Sequence, residues 1–166
     1  DSIEPWGSIF SEVSSDFPTF ALVEPWKFVY LNTQVQNEEY GQVCSDSLKF
    51  LRSHTTAEDT SFLVIFMHHP PFFVGSNWID KIGLKAGKAE FLRLIQHPKI
   101  KLVVSGHVHQ ESQMEIGSVK LVTSPSTCVQ FKPYSDGFAL SNSNPGYRLI
   151  TLWENGEFST EVVRLT

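Results

Sequence analysis

Two short apolar runs in this chain each end in a pair of histidines, and that repetition narrows the folds open to it. Phe62-Leu-Val-Ile-Phe-Met67 is followed by His68-His69-Pro70-Pro71, and Leu102-Val103-Val104 by Ser105-Gly106-His107-Val108-His109. Runs this short, apolar and β-branched suit strands buried on both faces, as in a parallel sheet. Gly106 lets the backbone turn sharply after the second run. Both strands thus carry imidazoles at their C-terminal ends, the edge where open α/β sheets bind ligands. Neutral imidazole is a ligand for zinc, iron and related metals. If the loop is extended, the alternate residues His107 and His109 face two different metal ions. The plain alternative is that these are loop histidines held in hydrogen-bond networks.

The segments around the two runs read as an α/β unit. Phe20–Val23 and Phe28–Leu31 predict two strands turned at Glu24-Pro25-Trp26-Lys27, where Pro25 has no amide to donate. Ser45 or Asp46 caps a helix with Leu48, Leu51 and Phe50 on its apolar side, and His54 at its end is structural. A second helix is expected from Gly83 to about Gln96, stopped by His97-Pro98. It links strand 61–67 to a parallel strand 101–105 by a right-handed crossover. Short strands near 112–116 and 119–122 turn at Gly117-Ser118. Residues 133–145 form a surface loop. Gly146–Trp153 and Phe158–Leu165 form a hairpin around Glu154-Asn155-Gly156. In the N-terminal segment, Ile9, Phe10 and Val13 suggest a short helical turn.

Composition excludes several partners. With 166 residues and 41% hydrophobic content, the chain can build one domain, residues 1–166, with a real core. A net charge of −5 gives no footprint for nucleic acid. No apolar run is long enough to span a membrane, and there is no signal-peptide pattern. The two cysteines, Cys44 and Cys128, make no disulfide framework and point to a cytoplasmic protein. Cys128 reads as a small buried residue. Phe72, Phe73 and Trp78 read as core aromatics or as a wall for a nucleobase, with weaker polar contacts from Asn77 and Asp80. Asn32 reads as a strand-end residue that closes a turn.

Gly106-His-Val-His109 and His68-His-Pro-Pro71 resemble the last two motifs of the calcineurin-like metallophosphoesterases. Gly106-His-Val-His-Gln110 with Thr123-Ser-Pro-Ser-Thr-Cys-Val-Gln-Phe-Lys-Pro133 resembles the bacterial class III 3′,5′-cyclic AMP phosphodiesterases more closely. Leu31-Asn-Thr-Gln34, Trp78-Ile-Asp80 and Glu161-Val-Val-Arg-Leu165 fall in matching order. The resemblance runs from about Phe20 onward. It implies the C-terminal half of a four-layer α/β/β/α sandwich. It also implies a two-metal site (iron or manganese, with zinc possible) in which His68 and His107 bind one ion and His109 the other. His69 then lies beside the first ion or faces substrate, and spacing alone leaves the reverse order of His68 and His69 open.

The family's first three motifs, Asp-x-His, Gly-Asp and Gly-Asn-His-Asp/Glu, do not occur here, and Asn32 stands where the family commonly has Asp. On spacing, Asp16, Glu111 and Asp136 do not replace the missing carboxylates. The chain is therefore expected to be the C-terminal portion of a longer enzyme that hydrolyses cyclic AMP to 5′-AMP. No catalytic residue lies within it, and it is expected to be inactive alone. A half sandwich leaves sheet edges open, which predicts self-association as a homo-oligomer or domain swapping. Three other readings stand beside this one. The first is a metallophosphoesterase acting on nucleotides, phospholipid head groups or monoesters. The second is a non-catalytic module with a structural three-histidine zinc site, and the third a plain α/β domain.

Overall fold

The computed structural model describes residues 18–166; the helical turn expected at Ile9–Val13 lies outside the described residues. Along the chain come β1 (Thr19–Val23), β2 (Trp26–Leu31), β3 (Gly41–Gln42), α1 (Ser45–Thr56) and β4 (Phe62–Met67). Next are α2 (Asn77–Asp80), β5 (Leu84–Ala86), α3 (Lys88–Leu94), β6 (Ile100–Ser105), β7 (Gln113–Ile116) and β8 (Val119–Thr123). The last are β9 (Gln130–Phe131), β10 (Leu140–Ser141), β11 (Gly146–Leu152) and β12 (Phe158–Arg164).

The main sheet has six strands in the order β1-β2-β4-β6-β8-β7. Its four inner strands run parallel, and β1 and β7 close the edges antiparallel. The central pair, β4 and residues 102–104 of β6, is buried on both faces, which is why it reads as continuous apolar runs without polar alternation. Leu63, Ile65, Val103 and Leu121 face a layer containing Leu48 and Leu51 of α1 and Phe91 of α3. Their neighbours Val64, Leu102, Val104 and Val122 face Ile150, Leu152 and Phe158 of the β11–β12 ribbon. Period-two alternation thus gives each strand two apolar faces. The α, β and β layers expected of the sandwich are in place, and the fold is α/β around a mixed central sheet.

The pairing of β4 with β6 is uneven. Leu63 pairs with Ile100, but Val64 pairs with Leu102 and Met67 with Ser105, so Lys101 has no partner across the ladder. This is a bulge, one residue more on β6 than on β4.

Three expectations need correction. The helix does not begin at Gly83. Leu84 and Ala86 pair with Gly41 and Gln42, and α3 starts only at Lys88. Gly87 explains the break: its φ is 73°, outside the helical region, and a Cβ there would run into the Val43 carbonyl. Neither Ser45 nor Asp46 caps α1. Cys44 occupies the cap, its Sγ accepting from Ser47 N at 3.5 Å. The β1–β2 turn is shorter than expected, with Trp26 and Lys27 already in the ladder.

Candidate metal centre

The parallel ladder delivers the histidines. Beyond the last pair of β4 and β6, the Gly106 amide donates to the His68 carbonyl at 3.1 Å, so the two histidine loops leave the sheet bonded to each other. The turn is not made by Gly106. His107 and His109 have φ of 65° and 48°, in the left-handed region. Val108 N donates back to the Gly106 carbonyl at 2.7 Å, the i→i+2 bond of a γ-turn. The loop is therefore coiled, and the extended form that would splay His107 and His109 by strand alternation is not adopted. Positive φ on two non-glycine residues stores strain of the kind that clusters at functional sites.

His68, His69 and His107 come together, with one ring nitrogen of each within 4.8 Å of the others. The closest pair is His68 Nε2 and His107 Nδ1 at 3.3 Å. Two nitrogens bound to one tetrahedral ion at about 2.0–2.1 Å lie about 3.3 Å apart, so this pair has the span of a chelate. His107 Nε2 is buried without a hydrogen-bond partner.

His69 is engaged differently. Its Nε2 lies 3.1 Å from the Glu39 carbonyl, which only accepts, so Nε2 carries the proton and donates. Nδ1 is then free to accept from the Thr33 hydroxyl at 2.8 Å. Both nitrogens are taken, and the ring sits over Gly41, where any Cβ would collide with it. His109 stands apart from the three. Its Nδ1 donates to the Val129 carbonyl at 2.9 Å, which leaves Nε2 with a lone pair. That pattern, one ring nitrogen tied to a carbonyl and the other open, orients metal-binding histidines.

Electrostatics favour neutral rings. Burial holds His68, His69 and His107 below the usual imidazole range, with the neighbouring histidines adding to the effect; His107 falls to about 4. A neutral ring is the form that ligates metal. Span and protonation fit a bound cation. Among the described residues, no carboxylate oxygen joins the three histidines.

The cavity in front of the histidines measures about 670 Å³ and contains Trp78, as the aromatic reading allowed. Phe72 and Phe73 do not line it. Phe72 is buried, and Phe73 is exposed beneath the Lys88 ammonium, in a separate cavity with Tyr134 and Arg148. Their places are taken by Phe131 and Phe138, which no periodicity in the sequence marks. Asp80 does not line the cavity; it accepts from Val74 N and Gly75 N, both at 2.9 Å. Asn77 bonds Asp136 at 2.6 Å. Asn32 Oδ1 accepts from Gln34 N at 2.8 Å, closing a turn at the cavity rim. Cys128, expected to be buried, is exposed. Its amide is held by the Ser126 hydroxyl at 3.0 Å in a surface turn. Thr33, which pairs with His69, and Glu38 and Glu39 at the cavity carry no local sequence signal, although Thr33 lies in the Leu31–Gln34 string.

No described helix is long and apolar enough to cross a membrane. A family profile described as calcineurin-like phosphoesterase matches residues 5–111. The 3′,5′-cyclic adenosine monophosphate phosphodiesterases CpdA of Vibrio vulnificus and Pseudomonas aeruginosa are 39% and 36% identical to this chain over 140 residues. The match covers 84% of this chain and 51% and 52% of theirs, so the chain spans about half the length of the curated relatives it matches. Among solved structures, purple acid phosphatase from yellow lupin superposes with a TM-score of 0.64 at 13% identity, covering 87% of this chain and 30% of that one. A dimetal phosphatase from Danio rerio gives 0.55 at 15% identity, covering 85% and 58%. Likeness at such identities speaks for the fold, and the fold agrees with the family profile. On more than half its length, and on a histidine site at the expected strand ends, the chain belongs to the calcineurin-like phosphoesterase family.

Proposed function

We propose that the protein containing this chain hydrolyses 3′,5′-cyclic AMP to 5′-AMP with two metal ions, and that residues 1–166 are part of one phosphoesterase domain. The observation that carries this reading is the 3.3 Å approach of His68 Nε2 and His107 Nδ1 at the C-terminal edge of a parallel sheet. The 39% identity to a cyclic AMP phosphodiesterase supports the substrate.

In this reading His68 and His107 hold one ion and His109, through Nε2, the second. Iron and manganese are the expected metals, and zinc fits the same donors. When bound, the ions supply Lewis acidity toward the phosphate and a hydroxide nucleophile at neutral pH. The chain's own contribution is to present neutral, oriented imidazoles and to keep His69 fixed beside them. His69 Nε2 is committed to the Glu39 carbonyl and Nδ1 to Thr33, so this ring shapes the wall next to substrate and buttresses His107, 4.5 Å away. Two cations need carboxylates to balance their charge, and none joins the three histidines among the described residues. Residues 1–166 alone are therefore expected to be inactive.

The test is hydrolysis of cyclic AMP by the whole protein with Mn²⁺, read as 5′-AMP by chromatography, with bound metal measured in parallel. His107→Ala is expected to lower kcat/KM by at least about 100-fold, the scale of losing metal-borne charge stabilisation, and to lower metal content. Unchanged metal content and activity in that variant would overturn the reading. Activity of residues 1–166 alone that vanishes with His107→Ala would overturn the expected inactivity.

A further inference from the structure

One part of the cavity is used by nothing described above. Beyond His109, its wall is made of three aromatic rings. Phe131 stacks on His109 with centroids 4.3 Å apart and planes 5° from parallel. Trp78 meets Phe131 edge-on at 5.0 Å and Phe138 at 5.3 Å, and Phe131 meets Phe138 at 5.6 Å. Phe138 is 66% exposed, although it packs edge-on with two other aromatics. A core aromatic would not leave that much surface in water. A ring presenting one side to a ligand would.

The wall is also held rigidly, which an incidental surface loop has no need to be. Ser76 is fully buried, and its hydroxyl accepts from Gln110 Nε2 at 3.1 Å and Ser135 N at 3.4 Å and donates to the Lys132 carbonyl at 3.4 Å. One hydroxyl thus ties together the Trp78 segment, the end of the His109 loop and the segment leading to Phe138. Ser135 Oγ adds a bond that orients the indole, accepting from Trp78 Nε1 at 3.1 Å. Lys132 N closes the base of the loop on the Ala139 carbonyl at 2.8 Å.

We propose that this aromatic corner is the subsite for the base of a nucleotide, and that Phe138 is the specificity-determining face on which the base lies. The inference rests on the phosphoesterase reading for the position of the phosphate, at the histidines. One ring, Phe131, separates His109 from Phe138, the scale on which a sugar separates phosphate from base. Stacking tolerates any base but prefers a large purine face, and Phe138 both lines the cavity and stays 66% exposed.

The experiment is calorimetric titration of the whole protein, loaded with Mn²⁺, with 5′-AMP and separately with ribose 5-phosphate. Ribose 5-phosphate has the sugar and phosphate but no base. Because Phe138 is exposed, Phe138→Ala is expected to fold normally. It should weaken 5′-AMP binding about 5- to 20-fold, the loss of one base–aromatic stack, and leave ribose 5-phosphate within about twofold, since the phosphate sites are untouched. Phe138→Trp should restore 5′-AMP binding. Equal binding of the two ligands by the unsubstituted protein, or equal weakening of both in Phe138→Ala, would overturn the proposal. The two readings fail separately. If the protein hydrolyses cyclic AMP but binds the two ligands alike, only the base subsite is wrong. If it prefers 5′-AMP through Phe138 but does not cleave cyclic AMP, only the proposed reaction is wrong.

Discussion

The two ends of the parallel strands are built on opposite principles. At the N-terminal end Lys27 and Lys99 both reach Asp59, at 2.7 and 3.1 Å, and Lys99 also donates to the Ala57 carbonyl at 2.5 Å. The Lys27 side chain is 8% exposed, and its charge has a partner. At the C-terminal end the polar groups are left wanting. Ser105 Oγ, His107 Nε2 and Gln110 Oε1 are buried without hydrogen-bond partners, and two residues sit at positive φ. The first end pairs its charges and holds the sheet together, with a single orphaned atom beside the Lys27–Asp59 pair, His54 Nε2, among the described residues. The other accepts unsatisfied groups and strain, as sites that must take a ligand do.

The sharpest way to break this contrast is Gly41→Ala. Its methyl would collide with the His69 imidazole, which is fixed on both nitrogens and cannot swing aside. We expect a loss of about 2–3 kcal/mol, within the range for overpacking, read as a lower midpoint in urea. Displacement of His69 should lower kcat/KM for cyclic AMP in the same variant. Normal stability together with normal activity would show that His69 is not held as rigidly as its hydrogen bonds require.

Asp59→Asn is the complementary test at the other end. Hydrogen bonds from Lys27, then from Lys99, hold the Asp59 carboxyl well below the usual carboxylate range. A depressed carboxyl contributes stability that is present in full above its unfolded value of about 3.9 and disappears as pH falls through the folded value. The variant should be about 1–2 kcal/mol less stable at pH 7, a figure reduced because the carboxylate is partly exposed. Its stability should also fall less steeply below about pH 4, as chemical denaturation across pH would show. Activity should be kept. A loss of activity without a loss of stability would mean that the two ends are coupled.

Ser105→Ala should do least. Its hydroxyl is buried and unpartnered, so deleting it is expected to change stability by about 0.5 kcal/mol or less in either direction. A large loss would reveal a partner for the hydroxyl, such as bound water.

The sequence showed most where a short-range pattern and a tertiary demand coincide. β4 and β6 are legible because a strand buried on both faces can only be apolar, and His68 and His107 are legible because they interrupt that run where it must end. The helix before β6 was misplaced because Leu84-Lys85-Ala86 has no strong preference of its own. Its pairing with Gly41-Gln42 is a contact across more than 40 residues. The coiled shape of the 106–109 loop was hidden for a related reason. Glycine advertises positive φ, and here that conformation falls on the histidines. Phe131 and Phe138 carry no periodicity; tertiary contacts with Trp78 and His109 and the hydroxyl of Ser76 give them a place. The pairing of Thr33 with His69 spans 36 residues and leaves no local mark.

The unpaired Lys101 in β6 has a consequence far from itself. Each residue along a strand advances the chain by about 3.3 Å. By absorbing one residue near its start, β6 retards everything after it by that step relative to β4, so Gly106 rather than Ser105 draws level with His68. Were the ladder even, His107 would lie one rise farther from its partner and the facing of every later side chain would invert. The reach between two imidazoles is thus a phase difference between strands, written into the backbone several residues before either histidine appears.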